Sequence, residues 1–140
     1  MRFNMFRNIL FLGLGALNMN AYAELALIVN PSNQITFDEK EIKHIFLGKL
    51  KTYPDGSVIK PLNYEDSSPI KHEFDDKVLN KSQSQVKAYW SKLVFTGKGI
   101  PPEKVDDDAS MLDAVSRNAN AIGYIDSSLV DDSVKVLKRF

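Results

Sequence analysis

Residues 63–74, "NYEDSSPIKHEF", include residue types that can bind a small anion. Ser67 and Ser68 directly precede Pro69, and an apolar pattern of helical spacing follows them. Free backbone N–H groups at the helix start would then lie beside two hydroxyls, and Lys71 would add a positive charge. The same residues also fit ordinary helix capping, with Ser68 as N-cap and Pro69 in the first turn. The residue types therefore leave two interpretations open, an anion site and a structural cap.

No other group of residues has the composition of a catalytic or metal site. His44 and His72 lack the cysteine or histidine spacing of zinc sites, so we interpret both as structural or solvated. Asp106, Asp107 and Asp108 are adjacent and precede a helix, which fits its dipole better than the alternating ligands of a calcium loop. No general base is placed near the serines in the sequence. We therefore predict a protein that is not an enzyme and uses no metal or cofactor.

Three aromatic residues lie close together at Tyr89, Trp90 and Phe95. One interpretation is a stacking platform for the ring of a ligand. However, helical spacing already places Tyr89, Trp90 and Leu93 on one apolar face, as in an ordinary helix that packs on a sheet. We therefore interpret the aromatic cluster as part of the core.

Short apolar runs predict four strands. They lie at residues 25–29, at residues 58–62, and in the terminal runs "AIGYID" and "VKVL". Pro61 within the second run favours an edge strand or a strand end, because proline has no N–H for the sheet. Residues 96–104, "TGKGIPPEK", are expected to interrupt regular structure.

Capping signals predict four helices between these strands. A capping box from Thr36 to Glu39 would start the first helix, and a box from Ser82 to Gln85 would start the third. The second helix follows the serines described above, and Asp107 or Asp108 starts the fourth. The resulting order, β-α-β-α-α-α-β-β, predicts an α/β domain with a single helix-covered sheet.

The first 23 residues have the pattern of a secretory signal peptide. Arg2 and Arg7 precede an apolar run from Ile9 to Leu17, and Ala21-Tyr22-Ala23 matches a signal-peptidase site. We therefore expect export to the periplasm and one domain over residues 24–140, with Glu24 as the first mature residue. The chain has no cysteine, so this domain would depend on its core alone. Without the signal peptide its charge is slightly negative, which offers no basic face to nucleic acid.

Three segments resemble the short, exported relatives of the phosphate-binding proteins of ABC transporters. They are "IFLGKLKTYPDGSVIKPLNYE", "AYWSKLVFTGKGIPP" and "NANAIGYID", and their order makes the resemblance specific. The resemblance covers residues 25–137 and implies the type II periplasmic-binding-protein fold, in which two α/β lobes close on an anion. The chain has residues for about one such lobe.

The resemblance also maps residues 63–74 onto the anion-binding helix start of that family. Asn63 lies near the position where full-length phosphate binders carry an arginine, and Ser67-Ser68-Pro69 replaces their glycine-containing turn. The candidate anion site therefore comprises Asn63, Ser67, Ser68 and Lys71. The two replacements imply weak or no phosphate binding by the chain alone.

Two functions are consistent with the sequence. The first is a non-catalytic solute-binding module of the phosphate ABC transporter type, with phosphate or another small anion as ligand. The second is a ligand-free periplasmic module that acts on a membrane sensor or an envelope complex. A single lobe has a cleft face with nothing opposite it, so we expect a second copy of the chain or a membrane protein to cover that face.

Overall fold

A computed structural model describes residues 24–140, which form an α/β domain around one five-stranded sheet. The predicted α/β class is therefore confirmed, whereas the predicted signal peptide lies outside the described residues. In chain order the elements are β1 (Leu25–Val29), α1 (Glu39–Phe46), β2 (Lys60–Tyr64), α2 (Pro69–Lys77), α3 (Gln83–Phe95), β3 (Glu103–Val105), α4 (Asp108–Arg117), β4 (Ala121–Asp126), a 3₁₀ turn (Ser127–Leu129) and β5 (Lys135–Arg139). None of these helices is long and apolar enough to cross a membrane.

The strands lie in the order β3-β2-β4-β1-β5 across the sheet. β2 is parallel to both of its neighbours, whereas β1 is antiparallel to β4 and β5. The carboxyl ends of β2, β3 and β4 therefore meet at one edge, at Tyr64, Val105 and Asp126. We call this the strand-end edge. Open α/β sheets commonly bind ligands at such an edge.

Helices cover the central strands on both faces, which is why β1 is buried along its whole length. On one face, the Tyr124 ring of β4 stacks on Phe74 of α2, with ring centroids 3.9 Å apart, and meets the edge of Phe46 from α1. On the other face, α4 packs against Gly123, where an added Cβ would lie 2.5 Å from Met111 Sδ. The absence of a side chain at Gly123 therefore allows the close approach of α4.

The first helix begins later than the capping signal predicted. Asp38, not Thr36, is its N-cap, and Asp38 Oδ1 accepts a hydrogen bond from Glu41 N at 2.8 Å. The sequence contains two overlapping boxes of the same spacing, and aspartate is the stronger capping residue. Starting at Asp38 also leaves Phe37 outside the helix, where its ring stacks on Tyr53. The box at Ser82 and Gln85 is confirmed for α3.

The structure around β2 differs from the sequence prediction in two respects. Glu103–Val105 forms a short strand that overlaps the end of residues 96–104, the segment that was expected to interrupt regular structure. β2 is therefore an interior strand, so of the two placements that Pro61 favoured, an edge strand or a strand end, the edge strand is wrong. Pro61 is the second residue of β2. The proline is tolerated because Pro61 pairs only with Ile122 of β4, and pairing with β3 begins at Leu62.

Candidate functional site

Helix α2 begins at the strand-end edge. Ser68 is its N-cap and Pro69 is its first residue, as predicted. The Ser68 side chain makes no capping hydrogen bond, so its hydroxyl is not committed to the helix. Ser67 is exposed beside it. The geometry thus keeps both hydroxyls accessible at a helix start, which is the arrangement that an anion site requires.

The surroundings of this helix start are negatively charged. A cavity of about 470 Å³ opens at the strand-end edge beside Ser68. Its acidic lining residues are Glu73, Asp106, Asp107, Asp108 and Asp126, and no basic residue of the described chain lines it. We call it the acidic cavity. Like charges at short range oppose the binding of an anion.

Two hydrogen bonds hold the groups of the acidic cavity in place. Asp107 Oδ1 accepts from Ser110 N at 2.7 Å, which caps α4. Hydrogen bonding from the Ser110 side chain, and then from its backbone N–H, lowers the pKa of Asp107 below its ordinary value. Tyr64 donates its hydroxyl proton to Asp108 Oδ1 at 2.8 Å. Burial, and then that bond, raise the pKa of Tyr64 well above its ordinary value, so Tyr64 remains a donor at neutral pH. The lowered pKa of Asp107 therefore keeps its carboxylate charged at neutral pH.

The other two candidate residues lie elsewhere, because Asn63 and Lys71 line a different cavity from Ser68. Both are buried. Asn63 Oδ1 accepts hydrogen bonds from the Tyr124 hydroxyl and from Tyr64 N. The structure thus brings Asn63 and Lys71 to one cavity and places Ser68 at another.

Lys71 is already neutralised within the protein. Its Nζ lies 2.8 Å from Asp75 Oδ2, and the two side chains are 6% and 0% exposed. The second oxygen, Asp75 Oδ1, has no hydrogen-bond partner among the described residues. Burial raises the pKa of Asp75 above its ordinary value, although the hydrogen bond from Lys71 opposes this. The pair leaves little net charge for a ligand.

The cavity that contains Asn63 and Lys71 is a groove of about 530 Å³ along α3. Its apolar wall consists of Val86, Trp90 and Val94, which share one helical face through their four-residue spacing. Pro101 and Pro102 form the opposite side. We call this feature the α3 groove. Its volume and its mostly apolar lining are those of a binding site.

The aromatic cluster is only partly core, as one of its three members is exposed. Trp90 is buried, and its indole lies between two glycines, because a Cβ would come within 2.9 Å of the ring at Gly48 and 3.3 Å at Gly99. Two of the segments that carry the family resemblance thus meet at this side chain. Phe95, in contrast, is 92% exposed. It lies five residues after Trp90, which turns it about 140° around the helix and away from the sheet.

Sequence reasoning missed most of the groove. Val94 was not considered, and Lys87 and Lys104 lie on separate elements that only the fold brings to one rim. One sequence signal was present, because residues 80–102 contain four lysines and no acidic residue. That bias indicates a basic surface around α3.

The fold and the strand-end edge define one lobe of a periplasmic-binding-protein-like module, and solved structures agree. The chain is similar to an ABC-type phosphate transport receptor from Vibrio cholerae, with a TM-score of 0.66 and 22% identity over 83% of this chain and 47% of that one. It is also similar to a putative phosphate ABC transporter substrate-binding protein with bound phosphate from Clostridium perfringens, with a TM-score of 0.67 and 27% identity over 83% and 45%. PstS from Borrelia burgdorferi gives a TM-score of 0.64 and 19% identity over 82% and 47%.

These similarities confirm the predicted fold of about one lobe. The chain spans less than half the length of each of these structures. No protein-family model matches the sequence, and no curated protein matches it either.

Proposed function

We propose that this protein is a non-catalytic, periplasmic binding-protein-like module that binds phosphate weakly or not at all on its own. The similarity to phosphate receptors supports the type of module. The acidic cavity is the observation that supports weak phosphate affinity, because its five carboxylates surround the helix start that an anion would use. Ser67 and Ser68 are the groups through which any weak binding would occur.

Simple magnitudes support weak binding. A helix start stabilises a nearby anion by up to about 2 kcal/mol in a partly buried site. A single carboxylate about 6 Å from that anion would oppose it by about 3 kcal/mol at an effective dielectric constant of about 20. The acidic cavity holds several such groups. The arginines of the described chain, Arg117 and Arg139, lie on the last turn of α4 and on β5, so neither supplies the bidentate contact that strong phosphate sites use.

Calorimetric titration with inorganic phosphate at low salt tests the proposal. The dissociation constant should be no tighter than about 1 mM, or roughly −4 kcal/mol. Asp106→Asn removes one charge from the acidic cavity and should strengthen any residual binding, whereas Asp132→Asn, which does not line the cavity, should not. Micromolar binding that disappears in a Ser67→Ala and Ser68→Ala double variant would overturn the proposal.

A second candidate function is a ligand-free periplasmic module that acts on a membrane sensor or an envelope complex. The observation that favours it is the exposure of large apolar side chains at the end of α3. Val94, Phe95 and Ile100 are 52%, 92% and 90% exposed. Contiguous apolar surface of this kind is typical of sites that another molecule covers. Under this function, the protein would act by contact with a partner protein rather than through a bound solute.

A further inference from the structure

Exposed apolar side chains of the described chain concentrate around the α3 groove. Five large apolar residues are exposed within residues 24–140, and they are Val58, Val94, Phe95, Ile100 and Leu129. Val94 and Phe95 line the groove, while Val58 and Ile100 line an adjoining depression beyond Pro101 and Pro102. Four of the five therefore belong to one continuous region. Scattered single residues would need no explanation, but a cluster indicates a docking surface.

The charge around the groove is positive. Residues 80–102 carry four lysines and no acid. Lys87 lines the groove and forms no salt bridge with any described residue, while Lys104 on the other rim lies 3.0 Å from Asp66. Within residues 24–140, Asp66 is the only acidic residue that lines this groove. The rim thus favours a negatively charged partner, in contrast to the acidic cavity.

The shape favours a protein segment over a membrane surface. The groove is concave, and its floor holds Asn63 and Lys71, which are 7% and 5% exposed. Asn63 Nδ2 donates no hydrogen bond to any described residue. This N–H group could therefore donate a hydrogen bond to a segment bound in the groove. A flat lipid surface would contact Phe95 and leave this floor empty, whereas protruding side chains would fill it.

We propose that the α3 groove docks an acidic protein segment with apolar anchoring side chains. The apolar side chains would pack among Val86, Trp90 and Val94, and carboxylates would approach Lys87 and Lys104. This inference deepens the second candidate function and rests on it. It names the surface used and the chemistry of the partner.

Site-specific photo-crosslinking in cells that naturally produce the protein tests the docking surface. A photoreactive residue replaces Ser91, which is exposed and lines the groove, so the apolar wall is kept. Gln34, an exposed loop residue near the β5 edge, is the matched control, and Asp106 probes the acidic cavity. We expect the Ser91 probe to crosslink a segment that peptide mapping shows to be acidic and to contain large apolar residues.

The crosslinked segment is then synthesised as a peptide and titrated against the purified protein. Trp90 is the only tryptophan and lines the groove, so its fluorescence reports occupancy. Lys87→Glu and Phe95→Ser should each weaken binding at least tenfold, and added salt should weaken it further. Lys135→Glu on β5 and Leu129→Ser at the acidic cavity are the matched controls and should leave the affinity unchanged.

Several outcomes would overturn the inference. These are a Ser91 crosslink to lipid, to a second copy of this chain or to a segment without acidic residues, and equal crosslinking from Ser91 and Gln34. Crosslinks from Asp106 alone would reject the α3 groove but keep the second candidate function. The lack of any crosslink from all three positions would reject that function as well.

Discussion

Replacement of Lys71 by methionine should destabilise the protein strongly, because it leaves a buried carboxylate without its partner. The Lys71 Nζ to Asp75 Oδ2 distance is 2.8 Å, and both side chains are almost fully buried. At an effective dielectric constant of about 20, two unit charges at this distance attract by about 6 kcal/mol. Much of this attraction only offsets the cost of burying the charges. Breaking a buried pair typically costs about 3–5 kcal/mol, which is the loss we expect in the free energy of unfolding.

The loss should depend on pH. Burial raises the pKa of Asp75 above its ordinary value, so the folded protein holds this proton more tightly than the unfolded chain does. The contribution of Asp75 to stability is therefore greatest below its unfolded pKa, near 4, and declines as pH rises through its folded pKa. Lys71→Met removes the hydrogen bond and charge that lower this pKa, so it rises further. The deficit should thus be larger at pH 7 than at pH 4.

Urea unfolding at both pH values measures these effects. The double variant Lys71→Met and Asp75→Leu should recover most of the lost stability, because it removes both buried charges. Arg117→Met is the matched control, since Arg117 forms an exposed pair with Asp113 at the same helical spacing and should cost less than about 1 kcal/mol. A loss below about 1 kcal/mol for Lys71→Met, equal at both pH values, would refute the reasoning.

Three further predictions concern packing and export. Trp90→Ala should cost about 3–5 kcal/mol in urea unfolding, and a loss below about 1 kcal/mol would contradict its place in the core. Gly48→Ala should lower the free energy of unfolding by about 1–2 kcal/mol for its positive φ and by about 1–3 kcal/mol more for contact with the Trp90 indole. Gly56 also has a positive φ, but its added Cβ would contact nothing, so Gly56→Ala should cost only about 1–2 kcal/mol of backbone strain. Equal losses for the two glycine variants would exclude the indole contact. N-terminal sequencing of envelope material should begin at Glu24, and a soluble cytoplasmic pool that keeps Met1 would exclude export.

Features that depend on neighbouring residues could be predicted from the sequence. The start of α2 at Ser68 and Pro69 and the capping box of α3 follow from contacts within one helical turn. β1 was predicted at its observed limits, because a continuous apolar run indicates a strand covered on both faces. Thr36 and Asp38 both match the N-cap pattern, and the structure uses Asp38. With the helix starting there, the Phe37 ring stacks on Tyr53.

Features that depend on distant pairing required the tertiary structure. β3 has three residues, of which two are exposed, so no apolar pattern marks it, and only its pairing with β2 makes it a strand. The burial of Lys71 was equally hidden, since its spacing from Asp75 on α2 is also that of an ordinary exposed pair.

The candidate site shows most clearly which features follow from the sequence and which follow only from the tertiary structure. From the sequence, Ser68 and Lys71 were assigned to one site because they share one helical turn. In the fold, however, Ser68 lines the acidic cavity and Lys71 lines the α3 groove. The fold also gathers Asp106 and Asp126 around the start of α2, although they are far apart in the chain. The physical reason is the parallel pairing of β2 with β3 and β4, which brings the carboxyl ends of all three strands to one edge. Sequence spacing alone does not contain that pairing, so the charge around the helix start was decided by the sheet.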